Sequence, residues 1–199
     1  AAVVGRRGER NQRHGGGVDA QADGSLASEV GEVGGARGDR VFVFTRDARQ
    51  SRALLGDSVT HVARLEALPK ETRVDAVVNL AGAGVADGRW SARRKDAIRR
   101  SRVEATRLLV AAMAALPAER RPRVFISASA VGYYGDRGDT VLTERSEAGT
   151  GFLAEVCRAW EDAARAAESH DVRTVSVRIG VVLGRDGGAL ARIVPPFRL

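Results

Sequence analysis

The stretch PRVFISASAVGYYGD, residues 122–136, decides the fold. Its apolar, β-branched run at 124–126 stops abruptly at small hydroxyl and methyl residues, and two tyrosines and a glycine follow. A short apolar run with such boundaries is typical of a strand buried in a parallel sheet. Because ligands of open α/β sheets bind beyond the carboxyl ends of the strands, Ser127 and Ser129 are candidate site residues. The alternative is a core strand that runs into an ordinary polar loop.

Predicted strands and helices alternate along the rest of the chain. They are, in order, a strand at residues 41–44, a helix at 49–55, a weak strand at 59–65, a strong strand at 74–80, a helix at 91–116, a helix at 152–168, a strand at 172–183 and a turn at 184–188. Ser91 is a suitable N-cap for the long helix. This alternation predicts an α/β fold with a doubly wound parallel sheet of Rossmann type.

The overall composition limits the class of protein. With 199 residues, 44% of them hydrophobic, the chain is long enough for one globular domain with a core. No apolar run approaches the roughly 18 residues that span a membrane, and the start of the chain lacks the apolar segment of a signal peptide. Cys157 is the single cysteine, which excludes an internal disulfide. These features predict a cytoplasmic protein without a membrane partner.

Residues 1–35 differ in composition from residues 36–199. They are rich in Gly, Arg and acidic residues, with no sustained apolar period and no GxGxxG or GxxGxxG phosphate loop. We predict that residues 1–35 are a disordered or out-of-frame segment. Residues 36–199 are then a partial Rossmann domain.

The net charge of +7 raises the question of an anionic partner. Many basic residues fall at 89–107, on the predicted long helix. We interpret them as a solvated helix face, because the chain has no recognisable nucleic-acid module and little aromatic interleaving. The prediction is a small-molecule substrate and no nucleic-acid partner. A phosphate-bearing cofactor would use some of the positive charge.

The residues after the strand at 41–44 bear on the choice of cofactor. In Rossmann sheets an acidic side chain at this place suits the 2′-hydroxyl of NAD, whereas an arginine accommodates the 2′-phosphate of NADP. Thr45 and Arg46 stand there, which favours NADP(H) over NAD(H). The alternative is an exposed surface arginine.

Small residues follow the strand at 74–80, and they let a cofactor approach the backbone closely. The candidate cofactor-binding residues here are Asn79, Leu80, Ala81 and Gly82, although a plain exit from strand to loop gives the same pattern. Ser127 is a further candidate for the cofactor.

The candidate catalytic residues are Ser129, Tyr133 and Tyr134. A serine hydroxyl can hydrogen-bond a substrate oxygen, and a tyrosine beside a cation can act as general acid or base. The alternative for the tyrosines is packing over the cofactor crevice. No metal site is predicted.

Several motifs together resemble the epimerase family proteins of the short-chain dehydrogenase/reductase superfamily, in their atypical, extended form. The motifs are VNLAG at 78–82, SASAVGYYGD at 127–136, GFLAEVCRAWE at 151–161 and VRIGVVLGRDGGAL at 177–190. The resemblance implies a Rossmann fold that binds NAD(P), with a smaller C-terminal region for a nucleoside-diphosphate sugar or similar substrate. Because family members begin with a strand, a GxxGxxG loop and a helix, and continue further, it also implies a domain incomplete at both ends, an inactive fragment.

The chain departs from the superfamily at its usual catalytic pair, YxxxK. Alignment on Glu161 puts Cys157 at the lysine position and Leu153 at the tyrosine position, and neither can do that chemistry. Ser129 still matches the catalytic serine of the superfamily. Two functions therefore stay open: an epimerase or dehydratase that uses hydride transfer, and a non-catalytic NADP(H)-binding sensor or scaffold. The oligomeric state is open as well.

Overall fold

The computed structural model of the chain describes residues 2–6, 39–45, 48–56, 59–64, 67–68, 72–182, 194 and 197. Its strands are β1 (Ala2–Arg6), β2 (Arg40–Phe44), β3 (Thr60–Val62), β4 (Ala76–Asn79), β5 (Val124–Ala130) and β6 (Arg173–Ile179). Its α-helices are α1 (Ala48–Leu55), α2 (Ala92–Ala114) and α3 (Phe152–Arg165). The predicted α/β fold is confirmed. The turn predicted at 184–188 lies outside the described residues.

The chain divides into two compact units, Ala1–Leu80 with Val181–Leu199, and Ala81–Gly180. In the first unit the strand order is β3-β2-β1-β4, and β2 and β3 are parallel. The apolar run of β2 is buried on both faces, as expected for a strand inside a sheet. Val41 and Val43 form a core cluster with Val59, and Leu55 and Val78 pack against it.

The strand β1 differs from the sequence prediction, which expected no regular structure in residues 1–35. It pairs antiparallel with both β2 and β4, so this part of the sheet also departs from the all-parallel arrangement. An antiparallel ladder satisfies the N–H and C=O groups of the neighbouring strands as fully as a parallel one. The short valine-containing segment AVVGR can therefore fill this position in the reverse direction.

The second unit contains the parallel pair β5 and β6, in register from Val124 opposite Arg173 to Ala130 opposite Ile179. Helices α2 and α3 pack against each other, and α3 also packs on β5. Phe125 of β5 is completely buried. Buried residues of the helices recur at three and four, as the amphipathic pattern requires: Val103, Thr106, Val110 and Met113 of α2 and Val156, Trp160 and Ala164 of α3.

The predicted ends of most elements hold within a few residues. Ser91 is the N-cap of α2, and its hydroxyl accepts a hydrogen bond from the Arg94 backbone N–H at 3.2 Å. The strand β3 is shorter than the predicted 59–65, because its backbone ladder to β2 ends at Val62. Of the described helices, none is long and apolar enough to cross a membrane.

A buried hydrogen bond joins the two long helices. The indole Nε1–H of Trp160 donates to Thr106 Oγ1 at 2.9 Å, and both residues are buried. We expect Trp160→Phe to lower the free energy of unfolding by about 1–3 kcal/mol, because Thr106 loses a buried partner. The matched control is Trp90→Phe, whose indole donates to Val85 O at an exposed site. Urea unfolding that shows equal effects for both variants would contradict this expectation.

Candidate functional site

The carboxyl end of β5 positions the predicted serines and tyrosines. Ser127 and Ser129 are buried side chains of the strand, and a one-turn 3-10 helix, Val131–Tyr134, follows directly. Ser127 Oγ donates to the carbonyl of Ala128 at 3.3 Å. Ser127 is therefore held within the strand.

The hydroxyl of Ser129 is tied to a buried carboxylate. Ser129 Oγ donates to Glu161 Oε1 at 2.6 Å, a short contact typical of an ionised acceptor. Glu161 lies on the buried face of α3, one turn after Cys157. Because the serine proton is directed to Glu161, the lone pairs of Ser129 Oγ are left to accept hydrogen bonds.

A bidentate ion pair compensates the buried carboxylate. Arg178 of β6 donates through Nε to Glu161 Oε1 and through Nη2 to Oε2, both at 2.9 Å. The Glu161 side chain is only 5% exposed and that of Arg178 18%. Burial by itself would raise the pKa of Glu161, but the hydrogen bonds from Arg178 and Ser129 outweigh it, so this pKa lies below its usual value. The hydrogen bond to Glu161 likewise raises the pKa of Arg178.

The same guanidinium orders both tyrosines. Arg178 Nη1 donates to the hydroxyl of Tyr134 at 2.9 Å, and its Cζ lies 3.4 Å from the ring centroid of Tyr133. The two tyrosine rings meet edge to face, with centroids 5.3 Å apart. Since the Tyr134 oxygen accepts from Arg178, its own O–H remains able to donate. Ser129, Tyr133 and Tyr134 are thus brought together around one ion pair.

The loop between the 3-10 turn and α3 contacts this network. In this loop, the backbone carbonyl of Glu144 accepts a hydrogen bond from Arg178 Nη1 at 3.1 Å. Arg137 anchors the loop by donating to the carbonyls of Tyr134, Glu147 and Ala148, at 3.1, 3.2 and 3.3 Å. The cluster of Ser129, Tyr133, Tyr134, Glu161 and Arg178 is called the serine–tyrosine network below.

The residue aligned with the superfamily's lysine is a buried thiol. Cys157 is buried on α3, and burial raises its pKa, although hydrogen bonds with the Ala130 backbone and Ser129 act in the opposite direction. Leu153, aligned with the tyrosine, is half-buried beside Gly132. Leu153 supplies no proton donor, and neither side chain supplies a cation to the serine–tyrosine network.

The candidate cofactor residues are distributed over the two units. Thr45 follows β2, and its backbone N–H donates to Val62 O at 3.2 Å; Arg46 lies outside the described residues. Asn79 is buried at the end of β4, and Leu80 is half-buried. In the second unit Ala81 is half-buried and Gly82 is exposed. A Cβ at Gly82 would stand 3.0 Å from the Cζ of Arg102, so the missing side chain lets this arginine lie against the backbone.

Sequence reasoning used Glu161 only to align the chain and did not name Arg178 among the candidate site residues. The structure shows that the two side chains form an ion pair. The sequence contains one sign of this ion pair: Glu161 falls on the apolar face of α3, three residues before the buried Ala164. A carboxylate at such a position requires a buried partner, but the pattern does not say which one.

The fold and this cluster define a Rossmann-like α/β domain of the short-chain dehydrogenase/reductase type. Residues 22–198 match the NAD dependent epimerase/dehydratase family. The chain therefore belongs to that family, as the motifs indicated.

Individual relatives agree with this assignment. The chain is 50% identical over 124 residues to the chloroplastic epimerase family protein SDR39U1 homolog of Arabidopsis thaliana, an alignment that covers 62% of this chain and 35% of the relative. The chain spans about a third to a half of the curated relatives it matches.

Two solved structures are similar as well. Human epimerase family protein SDR39U1, solved with NADPH, has a TM-score of 0.55 and 35% identity, covering 62% of this chain and 42% of the human chain. The nucleoside-diphosphate sugar epimerase of Corynebacterium glutamicum has a TM-score of 0.53 and 43% identity, covering 62% and 25%.

Proposed function

We propose that this chain contributes the NAD(P)-binding region of an epimerase- or dehydratase-type oxidoreductase that acts on a sugar nucleotide or a similar hydroxyl or carbonyl substrate. The observation that carries the proposal is the serine–tyrosine network, which holds two hydroxyl groups beside one cation. The name of the Corynebacterium relative supports the sugar-nucleotide class. The NADPH in the human relative and the pair Thr45-Arg46 support NADP(H) over NAD(H).

Each side chain of the network has a distinct part in this proposal. The bound nicotinamide would supply reversible hydride transfer at its C4 atom. Ser129 would orient the substrate by accepting a hydrogen bond from its hydroxyl, since the serine proton is directed to Glu161. Tyr134 would donate its O–H proton to a substrate oxygen, because its own oxygen accepts from Arg178.

A second candidate function is a non-catalytic NADP(H)-binding sensor or scaffold. It is favoured by Cys157, a buried thiol at the position where a lysine would provide a cation. It is also favoured by the burial of Ser129 and Tyr134, whose relative exposures are 3% and 8%.

The experiment that separates the two functions measures binding and turnover in the same preparations. NADPH and NADH are titrated by fluorescence, and oxidation of NADPH is followed with sugar nucleotides and small carbonyl compounds. For an enzyme we expect Ser129→Ala to reduce turnover by about 100-fold, while the NADPH dissociation constant changes less than about two-fold. Ser169→Ala is the control, since Ser169 lies exposed and bonds only to Ala166 O among the described residues. NADPH binding with no turnover on any substrate would favour the sensor.

A further inference from the structure

Two arginines of α2 lie against the loop that follows β4. Arg102 Nη1 donates to the carbonyls of Ala83 and Ile98, at 3.0 and 3.2 Å. Arg94 donates through Nη2 to the carbonyl of Gly84. Residues 94 and 102 are eight apart on the helix, and both guanidiniums reach adjacent carbonyls of the same loop. We call these two side chains the arginine pair.

The guanidinium of Arg102 packs on the ring of Trp160, with its Cζ 5.2 Å from the ring centroid, but its outer edge has no hydrogen-bond partner among the described residues. Neither Nε nor Nη2 makes a hydrogen bond to any described residue, and in that part of the chain no carboxylate lies within 4.0 Å of this guanidinium. The flat face of the guanidinium lies over Gly82: a Cβ built there would stand 3.0 Å from Cζ, 3.1 Å from Nη2 and 3.3 Å from Nε. The glycine therefore lets the guanidinium lie against the backbone, and the Nε and Nη2 donors at its edge have no acceptor among the described residues.

The neighbouring Arg94 adds a second sign of an incomplete site. Its Nε is buried and finds no hydrogen-bond partner in the described structure, and its side chain is only 24% exposed. A single carboxylate, Asp87, pairs with it, at 3.3 Å from Nη2 and 53% exposed. Two cations therefore share one solvent-screened anion in this described region.

The charge balance is unfavourable without a further anion. Burial lowers the pKa of Arg102; Cys157 acts in the opposite direction, and the positive charge of Arg94 lowers this pKa further. Partly desolvated like charges repel one another, and buried charges are normally paired. An oxyanion between the two guanidiniums would remove the repulsion and occupy the open Nε and Nη2 groups. Arginine is the side chain best suited to bind phosphate or carboxylate in this bidentate manner.

We propose that Arg94 and Arg102 form an oxyanion-binding site over residues 82–84, for a phosphate or carboxylate group of a ligand. The inference deepens the proposed function and rests on it for the source of the anion, which is either the dinucleotide or a phosphorylated substrate. The remainder of the basic surface of α2 has a different character. Arg100, for example, pairs with Asp96 and Glu104 at exposed positions.

The test uses inorganic pyrophosphate as the probe and isothermal titration of the full chain in a phosphate-free buffer. We expect Arg102→Gln and Arg94→Gln each to weaken pyrophosphate binding by at least about ten-fold. Arg99→Gln is the matched control, since Arg99 is exposed on the same helix, and it should change the affinity less than about two-fold. Arg102→Lys keeps the positive charge but loses the planar guanidinium, so its pyrophosphate affinity should lie between those of Arg102→Gln and Arg99→Gln. Urea midpoints of all variants show that each one is folded.

Pyrophosphate that binds equally well to Arg102→Gln and Arg99→Gln, or does not bind at about 10 mM, would overturn the site. Titrations with NADPH and with UDP-glucose identify the source: the ligand whose affinity falls in Arg102→Gln is the one that carries the anion. Loss of pyrophosphate binding in Arg102→Gln, without any NADPH binding by the parent chain, would leave the site standing and remove the proposed function. If the chain oxidises NADPH but its pyrophosphate affinity is unchanged in Arg102→Gln, the proposed function stands and the anion site is wrong.

Discussion

Replacing Glu161 with glutamine is expected to lower the free energy of unfolding by about 3 kcal/mol. The carboxylate is 5% exposed and receives three hydrogen bonds, two from Arg178 and one from Ser129. The amide leaves Arg178 as a partly buried cation with no other carboxylate partner in the described structure. Removal of one member of such a pair costs far more than the pair contributes, because the other charge stays desolvated. Urea unfolding followed by far-UV circular dichroism measures the loss.

The pH dependence identifies the carboxylate as the cause. The pKa of Glu161 in the folded state lies below its usual value, which is about 4.3 in an unfolded chain. Its contribution to stability is therefore complete above that pH and is lost as the pH falls through the folded-state pKa. The difference in stability between the parent chain and Glu161→Gln should be constant near neutral pH and shrink below about pH 4.

Two further variants separate the ion pair from general damage to α3. Asp162→Asn removes the exposed ion pair with Arg165, whose side chains are 62% and 69% exposed, and should change stability by less than about 0.5 kcal/mol. The double variant Glu161→Leu with Arg178→Met removes both charges and should lose less stability than the two single changes add up to. If Asp162→Asn lowers the free energy of unfolding as much as Glu161→Gln does, the Glu161–Arg178 ion pair is not the cause of the lost stability.

The fold was predictable where local patterns repeat over several residues. The buried runs of β2 and β5 and the amphipathic α3 are recognised from the spacing of apolar residues alone, and Ser91 marks the start of α2 because its hydroxyl caps a free N–H. The direction of β1 was not predictable in the same way. Strand direction depends on pairing with β2 and β4, which are distant in sequence, and five residues of AVVGR carry no directional signal.

The candidate site was only half visible in the sequence. Ser129, Tyr133 and Tyr134 follow a recognisable strand and were named for that reason. Glu161 and Arg178, which hold them, are 32 and 49 residues from Ser129 and meet it only through the packing of α3 and β6. Their interaction depends on side-chain geometry, on which spacing gives no information. A charged residue on an apolar helix face indicates that a buried partner exists, but only the folded structure shows which residue it is.

Replacing Gly149 with alanine is expected to destabilise the second unit by about 3 kcal/mol, at the upper end of the cost of overpacking. Gly149 is buried, and its backbone N–H donates to Tyr133 O at 2.9 Å. A Cβ at this position would lie 2.5 Å from the carbonyl carbon of Tyr134 and 2.8 Å from Gly135 Cα, and closer still to the Tyr134 carbonyl oxygen. All three atoms belong to the backbone, so no side-chain rotation relieves the clash.

Gly149→Ala should also disturb the serine–tyrosine network. The backbone segment that must move carries Tyr134, whose hydroxyl is bonded to Arg178. The control is Gly180→Ala, where a new Cβ meets no atom within 4 Å and stability should change by less than about 0.5 kcal/mol. Urea midpoints measure both variants. A Gly149→Ala chain as stable as Gly180→Ala would show that the 148–150 segment does not pack against residues 133–135. The tyrosines would then lack the backbone support that fixes them beside Arg178.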